Sequence, residues 1–200
     1  MTSDLHILYL HGFLSAPQSK KAQQTIAYCG QKGMADRIHV PALMQGPAAT
    51  IHKLSELIRS LPGNSLGLIG SSLGGYYATY LAEAFHLPAV LINPAVGPLE
   101  FWESHLGEHK NYYSDHLHVV TPRYIEELRS LERNLLQYPE NFMVMVQTGD
   151  ETLDYRKAVS KFSDSRLVIR ENGDHSYQGY DRELPDIEAF LLSRINDTAR

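Results

Sequence analysis

The chain has 200 residues, is 43% hydrophobic, and sets 18 Lys and Arg against 23 Asp and Glu for a formal charge of −5. That length suits one globular domain with a sizeable core, and the acidic balance without any long basic run leaves nucleic-acid binding little electrostatic support. The single cysteine, Cys29, excludes an intrachain disulfide framework, and no apolar stretch reaches the roughly 18 residues a membrane span needs.

The opening MTSDLHILYLHG has no basic segment ahead of an apolar one, so a cytoplasmic location is expected. LHILYL (5–10) reads as a first strand, and Pro17 to Lys32 has helix-compatible composition. RIHV (37–40) and SLGLIG (65–70) are the next strand-like runs, with a helix expected over Ala48 to Leu61 between them. A helix over Gly75 to His86 leads to PAVLIN (88–93). Residues 95–141 then break the rhythm with FWESHLGEHKNYYSDHLHVVTPRY, too rich in aromatic residues to read as disordered. Long connections of this kind are usually functional, and a small cap or lid is expected there, ahead of a helix over Pro122 to Leu136. FMVMVQ (142–147), a helix over Tyr155 to Phe162, RLVIR (166–170) and a helix over Leu184 to Ile195 complete the chain. Most of the runs are continuously apolar rather than alternating, the signature of strands buried on both faces of a parallel sheet. Strand and helix in alternation predict an α/β protein: one domain over 1–200 with a mostly parallel sheet of about six strands, flanking helices and a cap insertion at about 95–141.

The stretch GSSLG (70–74) joins an apolar run to the helix-like GYYATYLAEAF. Gly-x-Ser-x-Gly between strand and helix is the pattern of a nucleophile turn, and it selects Ser72; Ser71 occupies the variable position. Gly70 and Gly74 let strand and helix approach without a Cβ clash. Ser72 would then stand at a helix N-terminus, with the Leu73 N–H facing any developing anion.

A serine hydroxyl needs a general base, and the base needs an orienting carboxylate. Of ten histidines, His175 is the one that follows a late strand on a turn, RLVIRENGDH. Asp150 follows the FMVMVQ strand in the same way, through Thr148-Gly149. Ser72, Asp150 and His175 thus sit at three strand ends in the Ser–acid–His order of the α/β-hydrolase arrangement. Glu151 and Asp154 are rival carboxylates, but Asp154 is better placed to cap the Tyr155 helix, and Asp174 is too close in sequence to orient its neighbour's ring. Two oxyanion donors are also required, and the loop YLHGFLSAP supplies Phe13 N–H, with Leu14 as the alternative, beside Leu73 N–H. His11 reads as a structural histidine of that loop.

The blocks ILYLHGFLSAPQSKKAQ, GSSLGGYYATYLAE, LINPAV, QTGDETLDYRKA and GDHSYQGYD together resemble the small bacterial YqiA-like esterases of the α/β-hydrolase superfamily, over nearly the whole chain. The resemblance implies a three-layer α/β-hydrolase fold with six strands rather than eight. It implies a serine esterase with Ser72, Asp150 and His175 as its triad, acting on carboxylic esters, with short-chain acyl esters or acyl-CoA thioesters as candidate small-molecule substrates. No cofactor and no metal is expected. Leu14, Phe101 and Trp102 are candidate substrate contacts from the first loop and the cap. His105, His109, His116 and His118 invite a metal reading, but no cysteine or acidic motif at ligand spacing frames them. A reading from another class is a non-catalytic small-molecule-binding protein on a hydrolase scaffold; such proteins often lose a triad member, and here all three candidates are present.

Overall fold

The computed structural model describes residues 4–43, 46–97 and 102–198. In chain order its first half holds β1 (His6–Leu10), α1 (Lys20–Gln31), β2 (Ile38–His39), α2 (Pro47–Ser60), β3 (Leu66–Ser71), α3 (Leu73–Phe85) and β4 (Ala89–Ile92). The second half holds β5 (Gly107–Lys110), β6 (Leu117–Val120), α4 (Pro122–Ser130), β7 (Phe142–Gln147), α5 (Tyr155–Lys161), β8 (Arg166–Arg170) and α6 (Tyr180–Thr198). The six apolar runs form one sheet in the order β2-β1-β3-β4-β7-β8, with every neighbouring pair parallel. β5 and β6 pair antiparallel as a separate hairpin.

Side chains on a strand alternate between faces, and the two faces carry two cores. Leu8, Leu10, Leu68, Leu91, Val144 and Val146 pack beneath α2, α3, α4 and α5. Ile7, Tyr9, Ile69, Val90, Met143 and Met145 pack against α1 and α6. The result is three layers, helix on sheet on helix. α2 shows the helical logic clearly: Pro47 fits its first turn, and Ile51, Leu54 and Ile58 form the buried stripe. Among the described residues no helix is long and apolar enough to cross a membrane.

Several boundaries differ from the sequence reading. α1 begins at Lys20 rather than Pro17, because Ser19 N–H closes a turn onto Ala16 O at 3.0 Å first. α4 stops at Ser130 rather than Leu136. The Glu83 carboxylate of α3 accepts from Gln137 N at 2.8 Å and Tyr138 N at 3.2 Å, and so holds that segment in a non-helical path. α6 begins at Tyr180, ahead of the expected Leu184.

The hinge from β3 to α3 is packed directly onto β1. A Cβ added at Gly74 would overlap the Leu10 carbonyl and stand 2.7 Å from His11 O. Backbone cannot move aside as a flexible side chain can, so Gly74→Ala is expected to cost roughly 3 kcal/mol or more. In calorimetry this should lower the thermal midpoint by about 10 °C. Gly30→Ala is the control: nothing lies within 4 Å of that position on α1, and the change should raise stability by about 0.5–1 kcal/mol.

Candidate active site

Ser72 lies between β3 and α3 with φ 55° and ψ −121°, a left-handed conformation that a non-glycine residue rarely adopts. Its backbone is pinned on both sides: Ser72 N donates to Ile92 O at 3.1 Å, and Ala95 N donates to Ser72 O at 3.1 Å. Strain held this way at a strand–helix hinge raises the side chain above the sheet. Ser71, by contrast, is buried in β3.

Asp150 follows β7 and closes a turn, its N–H meeting Gln147 O at 3.2 Å. Its Oδ1 accepts from Thr152 N at 2.9 Å and Leu153 N at 2.8 Å. Burial pushes this carboxyl up, but hydrogen bonds from His175, Leu153 and Thr152 outweigh it and hold the group below the usual aspartate value. His175 follows β8, and its Nδ1 lies 2.8 Å from Asp150 Oδ2 and 3.0 Å from Oδ1. An ionised carboxylate only accepts, so Nδ1 carries the proton, and Nε2 is left to accept. Nε2 stands 3.1 Å from Ser72 Oγ. The Asp150 side chain is 2% exposed while that of His175 is 24% exposed, so the chain of hydrogen bonds runs from the interior toward an open face.

That face is a cavity of about 500 Å³ that Ser72, Leu73 and His175 line. Phe13, Val96, Trp102 and Leu153 give it an apolar wall, and Ser15, Lys20 and Lys21 a polar one. Phe13 meets Trp102 edge-on at 4.4 Å. Tyr112 and Tyr113, from the segment between β4 and β7, stand at its rim. The N–H groups of Phe13 and Leu73 have no acceptor among the described residues. Leu14 is not part of this cavity. Its φ of 54° turns it onto a smaller pocket beside Leu43 and Tyr77, and its carbonyl is taken by Tyr112 N–H at 2.9 Å. Phe101 lies outside the described residues.

His11 is buried, its Nδ1 on Gly12 O at 3.0 Å and its Nε2 accepting from Leu43 N at 3.2 Å. Burial lowers its pKa, and those partners select the neutral ring of a structural histidine. Of the rival acids, Asp154 caps α5 by accepting from Arg156 N at 3.0 Å, and Glu151 accepts from His175 N at 3.0 Å. His105 and His109 stack on each other, and His118 packs edge-on against Phe13 and Tyr124. Among the described residues no three His, Cys, Asp or Glu side chains gather as a metal site.

The sequence reading passed over Lys21, Asn93 and Gln147. Lys21 reaches from α1 to donate to Ser176 O at 2.9 Å, and burial lowers its pKa to about 8 against the pull of Asp174 and Asp150. Asn93 and Gln147 are the polar last residues of the apolar runs PAVLIN and FMVMVQ, which marks their positions but not their partners.

A family model described as "Uncharacterised protein family (UPF0227)" matches residues 6–192. Among solved structures the chain is similar to alpha/beta hydrolase domain-containing protein 10 from mouse, with a TM-score of 0.74 at 15% identity, covering 98% of this chain and 92% of that one. It is similar to Est1E from Butyrivibrio proteoclasticus, with a TM-score of 0.67 at 11% identity, covering 98% and 90% of the two chains. It is also similar to the esterase domain of a Rhodothermus marinus protein, with a TM-score of 0.63 at 17% identity, covering 98% and 88%. These likenesses give the arrangement of layers its name, the three-layer α/β-hydrolase fold.

Proposed function

The chain belongs to the UPF0227 family, the YqiA-like family whose residue blocks it carries, and from that premise we propose that it is a serine hydrolase of carboxylic esters. The observation that supports this best is the hydrogen-bonded line Ser72 Oγ, His175 Nε2, His175 Nδ1, Asp150, with spacings of 3.1 and 2.8 Å. Ser72 Oγ attacks the ester carbonyl and gives its proton to His175 Nε2. Asp150 holds the Nδ1–H tautomer and stabilises the imidazolium. The N–H groups of Phe13 and Leu73 take the developing oxyanion, helped by the α3 N-terminus. His175 then protonates the leaving alcohol or thiol, the acyl group stays on Ser72 Oγ, and water cleaves it with His175 again as the base. The apolar wall of Phe13, Val96, Trp102 and Leu153 takes the acyl chain, and the insertion that carries Trp102 acts as the cap. Short-chain acyl esters and acyl thioesters both suit this chemistry.

The test is a series of p-nitrophenyl esters from acetate to laurate, with a fluorophosphonate probe read by peptide mass spectrometry. Turnover of part of the series with label on Ser72 is expected. An inert series together with an unlabelled Ser72 overturns the reading and leaves a binding protein on a hydrolase scaffold.

A further inference from the structure

We propose that Asn93 and Gln147 are positioning residues that hold His175 in register with Ser72, a role that rests on the serine-hydrolase reading. His175 lies on the irregular segment 174–178, between β8 and α6. Such loops ordinarily turn their backbone polar groups toward water. Here two buried side chains take them instead. Asn93 Nδ2 donates to Asp174 O at 3.0 Å and to His175 O at 3.2 Å. Gln147 Oε1 accepts from Asp174 N at 3.1 Å and Gln178 N at 2.8 Å, and its Nε2 donates to Gln178 O at 2.8 Å. The two side chains are tied as well, Gln147 N donating to Asn93 Oδ1 at 3.0 Å. Asn93 is 3% exposed and Gln147 4% exposed, so the side-chain end of each bond is shielded from water, and the bond between the two residues is fully buried.

The geometry converts sheet register into ring position. Asn93 N donates to Met145 O at 2.9 Å, which continues the β4–β7 ladder past its last strand residue. Asn93 has φ 40°, a left-handed conformation that asparagine tolerates. On the other side, a Cβ at Gly173 would overlap the Gln147 side-chain amide, so only glycine lets the loop close on it. Both amide oxygens face N–H donors and both amide nitrogens face carbonyl oxygens, which fixes the orientation of the two side chains. The backbone of His175 is therefore held from the ends of β4 and β7, while its ring is held by Asp150. A shift of about 1 Å in a reacting group costs on the order of 100-fold in rate.

Asn93→Asp and Gln147→Glu keep shape and the accepting oxygen but set an oxygen against the loop carbonyls. Asn93→Ser, which shortens the reach without adding charge, stands in for a variant that does not fold. We expect kcat to fall about 10- to 100-fold per folded molecule with KM within about twofold. The ring nitrogen shifts of His175 in 15N NMR should move away from the Nδ1–H tautomer. Wild-type kcat in the variants, or unchanged ring shifts, overturns the proposal. The two readings fail separately. If wild type hydrolyses nothing and Ser72 resists the probe, yet the variants displace the ring shifts, the clamp stands and the hydrolase reading falls.

Discussion

Ser72→Ala is expected to lower ester hydrolysis by at least about 10,000-fold, while Ser71→Ala stays within about tenfold of wild type. The asymmetry follows from backbone conformation rather than from composition, since both are serines in one turn. Ser71 is the last residue of β3, with ordinary strand backbone, and is 5% exposed. Ser72 is the residue at φ 55°, and its Oγ is the one within 3.1 Å of His175 Nε2. A third variant separates chemistry from strain. Alanine at position 72 keeps the Cβ that makes a left-handed conformation costly, whereas glycine does not. Ser72→Gly should therefore be as inactive as Ser72→Ala but more stable by about 1 kcal/mol in urea titration. Equal activity in Ser72→Ala and wild type would remove the nucleophile from this turn.

The strands with continuously apolar runs were the most legible part of the fold. SLGLIG, PAVLIN and FMVMVQ become β3, β4 and β7, each with boundaries close to the expected ones, because strands buried on both faces have no polar residues to blur them. RIHV contributed only Ile38–His39, as an edge strand with one neighbour. The β5–β6 hairpin was not legible: GEHK is mostly exposed and polar, and nothing in it separates a ribbon from a loop. Its pairing comes from the chain doubling back, with Asn111 N bonded to His116 O at 3.0 Å beyond the last pair. The site divides in the same way. Ser72, Asp150 and His175 could be picked out because each follows a strand and has a residue type suited to the chemistry. Asn93 and Gln147 could not, since their meeting depends on β4 and β7 being neighbours across a long insertion. Sequence spacing carries no trace of that adjacency. Leu14 shows the converse: a loop residue expected at the substrate by its position has a positive φ and lines a smaller neighbouring pocket.

Asp150→Asn is expected to reduce kcat by about 1,000- to 10,000-fold with little change in KM. The carboxylate accepts from His175 Nδ1–H at 2.8 Å, and that bond leaves Nε2 free to take the Ser72 proton. An asparagine amide can turn its NH2 toward Nδ1 and so select the other tautomer, in which Nε2 already carries a proton. The neighbouring acids are the controls. Asp154→Asn should cost about 0.5–1 kcal/mol of stability as a weakened helix cap, with activity largely kept. Glu151→Gln should have a small effect on rate, because the side chain oxygen that accepts His175 N–H remains. Acid titration gives an independent check. The folded Asp150 carboxyl is held below its unfolded value of about 3.9. Its contribution to stability is therefore complete above that value and is lost as pH falls through the lower, folded one. The gap in unfolding free energy between wild type and Asp150→Asn should shrink as pH drops below about 4, measured by urea unfolding across a pH series. A gap that widens there would mean the carboxyl is raised rather than depressed. An Asp150→Asn enzyme with full kcat, beside an inactive Glu151→Gln, would move the orienting acid to Glu151, the other carboxylate bonded to His175.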